Sequence, residues 1–166
     1  MHEFAGDYRS WESQIRYFSR RYRCISYNAR GYPPSEVPND ITAYSQEQAC
    51  NDIAGMIKHL DISHAHIVGL SMGAFAALHF GLHYPEMTQS LVLAGIGHGA
   101  LPAQRESFAK EARMMADRID NEGIASVTTD YAVKPERLPF KRKDPKGWRE
   151  FATQLAHHSS EGSALT

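Results

Sequence analysis

This 166-residue chain has few cysteines and almost no net charge, and each of these features excludes a class of protein. Two cysteines, Cys24 and Cys50, are too few for a disulfide framework, so we interpret both as small buried residues of a protein in a reducing compartment. The formal net charge of −1 provides no electrostatic attraction to nucleic acid or to an acidic membrane surface. We therefore expect a cytoplasmic protein that binds neither nucleic acid nor membrane.

Long apolar segments and metal-ligand patterns are also missing. An uncharged run covers residues 67–82, but it is shorter than the roughly 20 residues that cross a bilayer, and glycine, serine and histidine interrupt it. No basic start precedes an apolar stretch, so no signal peptide is predicted. Four histidines, His64, His66, His79 and His83, lack companions at the spacing of zinc ligands, and we predict no metal and no cofactor.

The first 99 residues alternate between strand-like and helical patterns. Short apolar runs predict strands at residues 24–27, 65–68 and 90–95. Helices are predicted from a Ser10 N-cap, from a capping box of Ser45 and Gln48, and after residue 71, with Ala74, Ala77, Leu78 and Leu82 facing inward. Such alternation predicts an α/β fold, in which helices cover both faces of a parallel sheet.

From residue 100 onward the pattern is wholly helical, which divides the chain into a core (residues 1–99) and a helical part (residues 100–166). Two apolar stripes at helical spacing are predicted to face inward: Phe108, Ala112, Met115, Ala116 and Ile119, then Trp148, Phe151, Ala152 and Leu155. The basic residues between Lys134 and Lys146 are interpreted as a solvated surface.

Residues 69–73 have the pattern G-x-S-x-G where a predicted strand meets a predicted helix. A sharp turn there strains its central residue and brings the flanking positions against neighbouring backbone, so Gly69 and Gly73 must be small. The turn would raise the Ser71 hydroxyl above the carboxyl end of the sheet, where parallel sheets bind ligands. Met72 would open the helix, and its N–H could stabilise an oxyanion. A glycine-rich turn of this kind also binds phosphate, but the patterns typical of phosphate loops are absent from it.

Around this motif the chain resembles the α/β-hydrolase superfamily, in its single-domain esterase, lipase and haloperoxidase-like branch. The resemblance runs from about His2 to Gly97. The stretch HEFAGDYRSW resembles the family's His-Gly loop, NARGYPPS resembles its turn after the fourth strand, and HIVGLSMGAFAALHFGLHYPEMTQSLVLAG resembles the nucleophile elbow and the sixth strand. The helical remainder resembles the family's lid.

The resemblance implies a role for each matching residue. Ser71 would be the nucleophile, the Met72 and Phe4 N–H groups would form the oxyanion hole, and His2 would shape the loop around Phe4. Glu3 stands where the family has glycine, which leaves a solvated loop without a role as the alternative for Phe4. Near the second stretch, Asn28 replaces the family's aspartate and prolines occupy two later positions.

A serine nucleophile needs a base and an acid, which in this family follow the seventh and eighth strands. No further strand pattern follows Gly95, so we interpret the chain as a fragment of a longer protein that lacks both groups. His98, just after the sixth strand, is the best internal candidate for a base, with a pocket or turn residue as its alternative. His157 and His158 are predicted to be solvated.

The nucleophile type indicates the chemistry. Relatives that open epoxides use a carboxylate at the elbow, whereas serine implies attack on a carbonyl and an acyl-enzyme. We therefore expect a small, fairly apolar substrate with an ester or other reactive carbonyl. A non-hydrolytic receptor or a lyase on the same scaffold stays open as the alternative.

Overall fold

The computed structural model describes residues 1–166, and its two strands lie within the first hundred residues. The helices and strands are α1 (Glu12–Phe18), α2 (Gln46–His59), β1 (Ala65–Leu70), α3 (Met72–His83), β2 (Thr88–Ala94), α4 (Arg105–Glu122), α5 (Ala125–Ala132), α6 (Leu138–Lys143), α7 (Pro145–Leu155) and α8 (Ser160–Leu165). Short 3₁₀ turns lie at Tyr8–Trp11, Ile41–Ala43, Pro85–Met87, Pro102–Gln104 and Pro135–Arg137.

The sheet consists of β1 and β2, which pair in parallel with Ile67 opposite Leu91 and Leu70 opposite Ala94. Parallel neighbours require a crossover connection, and α3 supplies it by packing against both strands. Because α2 packs in turn on α3, both helices cover the same face of the sheet. The predicted α/β fold class is confirmed.

The opposite face of the sheet differs from the prediction that helices cover both sides. Val68 and Val92, which point away from α3, are 36% and 52% exposed. No helix makes contacts with this face comparable to those of α3. We refer to the side of the sheet that carries Val68 and Val92 as the open face.

The main core lies between α2, α3 and β1. Its buried members are Cys50, Ile53, Ala54, Ile57, Ile67, Ala76, Ala77, Phe80 and Met87. Small alanines on α3 let the helix approach the sheet closely, and Phe80 fills the space beside them. Leu82 was expected to face inward but is 68% exposed, because it lies on the side of α3 opposite Phe80.

Three local predictions before α2 are wrong. Residues 24–27 do not form a strand, because their backbone makes no hydrogen bond to another segment. Cys24 is consequently half-buried, whereas Cys50 is buried as predicted. Ser10 is not an N-cap, since the 3₁₀ turn that contains it is capped by Asp7, and α1 begins after it without a side-chain cap.

The second apolar stripe of the helical part faces inward as predicted, with Leu155 of α7 fully buried, whereas the prediction for the first stripe holds only toward its end. Phe108 and Ala112 are exposed, because α4 packs on α5 and α8 through its later residues, Met115 and the fully buried Ile119. Leu155 shares a small cluster with Ala132 and with Ala5 of the first loop, so this part contacts the core directly. The division at residue 99 stays a prediction. Every helix is either too short or too polar for a transmembrane span.

Candidate active site

Ser71 occupies a sharp corner between β1 and α3. Its backbone has φ +51° and ψ −115°, a conformation that a residue with a side chain rarely adopts. Such strain costs roughly 1–3 kcal/mol and is concentrated at functional sites. The Ser71 N–H donates to the carbonyl of Ala94 at 2.8 Å, which ties the corner to the end of β2. The predicted junction of strand and helix is confirmed, and the nucleophilic role of Ser71 stays a prediction.

The two flanking glycines lie where no larger residue fits. A Cβ atom added at Gly69 would lie 2.1 Å from the carbonyl oxygen of Gly73. One added at Gly73 would lie 2.5 Å from the carbonyl oxygen of Met1 and 2.6 Å from that of His2. These contacts are to backbone atoms, so the glycines allow β1, α3 and the first loop to meet at one point.

The backbone N–H groups proposed for an oxyanion hole lie on two segments that meet near this corner. Met72 is the first residue of α3, where an N–H has no acceptor within the helix. Phe4 belongs to the loop whose His2 carbonyl lies against Gly73, and its N–H makes no hydrogen bond to another protein group. Both N–H groups are therefore available to bind an anion.

His2 anchors the start of that loop through hydrogen bonds of its ring. Its Nδ1–H donates to the carbonyl of Glu3 at 2.8 Å, and its Nε2 accepts the N–H of Ala29 at 2.8 Å. Burial lowers the pKa of His2 to about 4, so the ring is neutral at physiological pH and can act as donor and acceptor at once. His2 consequently holds the loop against the segment that follows residue 28.

Two tyrosine hydroxyls hold the peptide that follows Phe4. Ala5 has φ +56°, and its N–H donates to the Tyr32 hydroxyl at 3.2 Å. The Tyr131 hydroxyl donates to the Phe4 carbonyl at 3.3 Å, and the Phe4 ring meets the Tyr131 ring edge to face at 5.9 Å. Phe4 is therefore half-buried and held on both sides, unlike a solvated loop residue, and its oxyanion role stays a prediction.

No histidine of the chain forms a hydrogen bond with Ser71. His98 is exposed and meets the Phe108 ring edge to face at 5.3 Å. His157 is exposed as predicted, whereas His158 is half-buried with its ring against Tyr32 at 5.5 Å. Burial lowers the pKa of His158. The structure thus brings Ser71 together with the two segments that carry the oxyanion candidates, and no histidine is hydrogen-bonded to Ser71.

A cavity of about 170 Å³ opens beside the first turn of α3. Met72 and Gly73 line it, together with Arg30 and Asp52, which form an ion pair at 2.7 Å. Neither His98, for which a pocket residue is the alternative role, nor His2, which is expected to shape the first loop, is among its lining residues. No group of three or more histidine, cysteine, aspartate or glutamate side chains comes together as a metal site would require.

Sequence reasoning missed one contact between the first loop and the helical part. Glu3 is buried at 4% exposure, and its nearest cation is Arg137, with 3.7 Å between Oε1 and Nη1. Arg137 was assigned to a solvated basic surface, but its side chain is only 18% exposed. The one feature of the sequence that could have indicated this contact is the glutamate at position 3, where the family has glycine. A buried carboxylate requires a cation or hydrogen-bond donors nearby.

Comparisons with known proteins agree with this geometry. The family model described as alpha/beta hydrolase fold matches residues 2–153. The chain is 28% identical over 154 residues to 3-oxoadipate enol-lactonase 2 of Acinetobacter baylyi, which covers 93% of this chain and 55% of the lactonase. It is 31% identical over 96 residues to epoxide hydrolase 1 of Caenorhabditis elegans, covering 58% of this chain and 24% of that enzyme.

Among solved structures, a thermophilic esterase from Thermogutta terrifontis superposes with a TM-score of 0.84 at 23% sequence identity. That match covers 99% of this chain and 59% of the esterase. Both matches cover nearly all of this chain. The chain therefore spans little more than half the length of the lactonase and of the esterase.

Proposed function

Because the chain belongs to the alpha/beta hydrolase fold family, we propose that it carries the nucleophile of a serine hydrolase that acts on esters or related carbonyl compounds. The observation that carries this proposal is the strained backbone of Ser71 at the strand-to-helix corner. Strain at such a residue persists only where the surrounding structure enforces it, and here the two flanking glycines and the bond to Ala94 do so.

In the proposed reaction, the Ser71 oxygen attacks the carbonyl carbon of the substrate while a base accepts the hydroxyl proton. The carbonyl oxygen becomes an oxyanion, which the N–H groups of Met72 and Phe4 stabilise by hydrogen bonds. Collapse of this intermediate breaks the bond to the alcohol oxygen, which takes the proton back from the base, and leaves an acyl group on Ser71. Water then attacks the acyl-enzyme, releases the acid and regenerates the serine.

Serine at the corner favours carbonyl substrates over epoxides, although the chain is similar to an epoxide hydrolase as well as to a lactonase. A serine oxygen that opened an epoxide would form an ether, which water does not cleave readily. An acyl group on serine is instead an ester, and a second attack by water completes the cycle. A small, fairly apolar ester or lactone is therefore the proposed substrate class.

We further propose that the base and the acid of this hydrolase are supplied by residues outside these 166. The absence of a histidine bonded to Ser71 supports this view, as does the coverage of only 55% of the similar lactonase. Without a base, a serine hydroxyl is a poor nucleophile at neutral pH. We also propose that residues 100–166 form the lid and that the protein is cytoplasmic.

The test compares the 166-residue chain with the product of its complete reading frame, using p-nitrophenyl acetate as a chromogenic ester. We expect no stoichiometric burst from the 166-residue chain, and steady turnover by the complete product that Ser71→Ala abolishes. The Ser71→Ala variant also provides the baseline, because imidazole groups cleave this ester slowly and the chain has nine histidines. A burst from the 166-residue chain would instead assign the base to His98 or to a second copy of the chain. Turnover that survives Ser71→Ala would contradict the proposed nucleophile.

A further inference from the structure

The buried carboxylate of Glu3 belongs to a continuous set of contacts that ends at the Phe4 peptide. Arg137 faces Glu3, and its Nη2 also donates to the Tyr131 hydroxyl at 2.9 Å. The Tyr131 hydroxyl in turn donates to the Phe4 carbonyl. Burial raises the pKa of the Tyr131 phenol, so the hydroxyl keeps the proton that it donates.

Arg137 is held in this position from both sides. Its guanidinium lies 4.9 Å from the centre of the Tyr131 ring and 4.7 Å from that of Phe151. Arginine stacks on aromatic rings in this way and presents several N–H groups at fixed angles, whereas lysine would present a single flexible ammonium group. The guanidinium therefore joins α5 and α7 to the first loop.

Glu3 is likewise held in place, because Gly6 leaves room for it. A Cβ added at Gly6 would lie 2.7 Å from the Glu3 carboxylate carbon and Oε2. The Oε2 atom is buried and has no hydrogen-bond partner, and Arg137 is the cation that forms an ion pair with this carboxylate.

We propose that Glu3, Arg137 and Tyr131 are positioning residues that orient the Phe4 peptide only while the helical part is seated on the loop. This inference rests on the proposed function, because orientation of Phe4 matters to catalysis only if its N–H binds an oxyanion. Donation by Arg137 polarises the Tyr131 hydroxyl and strengthens its bond to the Phe4 carbonyl. The oxyanion hole would thus be complete only when residues 131–155 are folded against it.

The first test is hydrogen exchange in peptides that cover residues 1–8 and residues 138–155 of the chain. We expect Glu3→Gln, Arg137→Met and Tyr131→Phe each to raise exchange of the loop amides about tenfold, the equivalent of one lost hydrogen bond. Tyr131→Phe keeps the ring and its packing, so its effect should be confined to the loop. Gly6→Ala should act similarly by displacing the Glu3 carboxylate without changing charge.

Matched controls are available in the helical part. Glu111 of α4 and Arg142 of α6 are both exposed, so Glu111→Gln and Arg142→Met change the same chemical groups without touching the loop. We expect loop exchange in both controls to equal that of the wild type. Unchanged loop exchange in Tyr131→Phe and Gly6→Ala would overturn the proposal. Faster exchange confined to residues 138–155 would also overturn it, because the contacts would then only stabilise the helical part.

The second test uses ester turnover by the complete reading frame. We expect Tyr131→Phe to lower kcat about tenfold with KM within twofold, because an oxyanion forms only in the transition state. An unchanged kcat alongside a loosened loop would overturn the catalytic part of the inference. This outcome differs from a failure of the proposed function itself, which would appear as turnover that does not depend on Ser71.

Discussion

At the scale of single residues, the corner at Ser71 depends on the absence of two side chains. Any Cβ at Gly69 or Gly73 would meet backbone atoms of α3 or of the first loop, which cannot move without displacing a whole element. We expect Gly69→Ala and Gly73→Ala each to lower the free energy of unfolding by about 1–3 kcal/mol, as overpacking does. Urea unfolding followed by circular dichroism measures this change.

Gly55 is the control for that substitution. It is exposed in α2, and a Cβ there would meet no atom within 4 Å. Gly55→Ala should therefore raise the free energy of unfolding by about 0.5–1 kcal/mol, the usual gain of alanine over glycine within a helix. If Gly69→Ala matched Gly55→Ala in stability, the close contact at the corner would be wrong.

His2 makes stability depend on pH. Burial lowers its pKa from 6.5 to about 4 in the folded chain, so between these values the unfolded chain binds the proton more readily. Stability from this group is complete above pH 6.5 and is lost as the pH falls toward 4, by about 3 kcal/mol at 1.36 kcal/mol per unit. Urea unfolding at pH 7, 5.5 and 4 measures the loss.

Substitution separates His2 from the other titrating groups. His2→Gln should flatten the dependence between pH 6.5 and 4, since glutamine does not titrate. His64→Gln, at an exposed position, should leave the slope unchanged. An equal slope in wild type and His2→Gln would show that other groups carry the pH dependence.

The corner at Ser71 and the contact of Glu3 with Arg137 differ in how far the sequence predicts them. The corner at Ser71 was predictable, because five consecutive residues contain its steric requirement. The contact of Glu3 with Arg137 was not, because it joins opposite ends of the chain and no local periodicity reports it. Within a run of basic residues, nothing local distinguishes the one that the fold buries.

At the scale of elements, a capping pattern that lies within one helical turn was confirmed, whereas a strand pattern before α2 was not. The Ser45 hydroxyl accepts the Gln48 N–H at 3.0 Å, as the capping pattern predicted, because both groups lie within one turn. Residues 24–27 have an apolar pattern like that of β1 but form no strand. A strand exists only where a neighbour completes its ladder, and the neighbour is not encoded in the strand's own residues.

At the scale of the whole molecule, the open face is the feature with the broadest consequence. Beside it runs an apolar groove of about 580 Å³, lined by residues of α1, α2 and β1. The outer edge of β2 is also unpaired, since the sheet has only two strands. Exposed apolar surface next to an unpaired strand edge promotes association between chains.

We therefore expect the 166-residue chain to self-associate as its concentration rises, and Val92→Lys to reduce that association. A lysine on the open face would place a charge next to the free edge of β2. Natural sheets use charged residues at their edges to block pairing with another chain. Sedimentation velocity across a concentration series measures the effect. Leu101, 62% exposed but outside the sheet, provides the matched control. Association that Leu101→Lys weakens as much as Val92→Lys would mean that general surface hydrophobicity, rather than the open face, drives contact between chains.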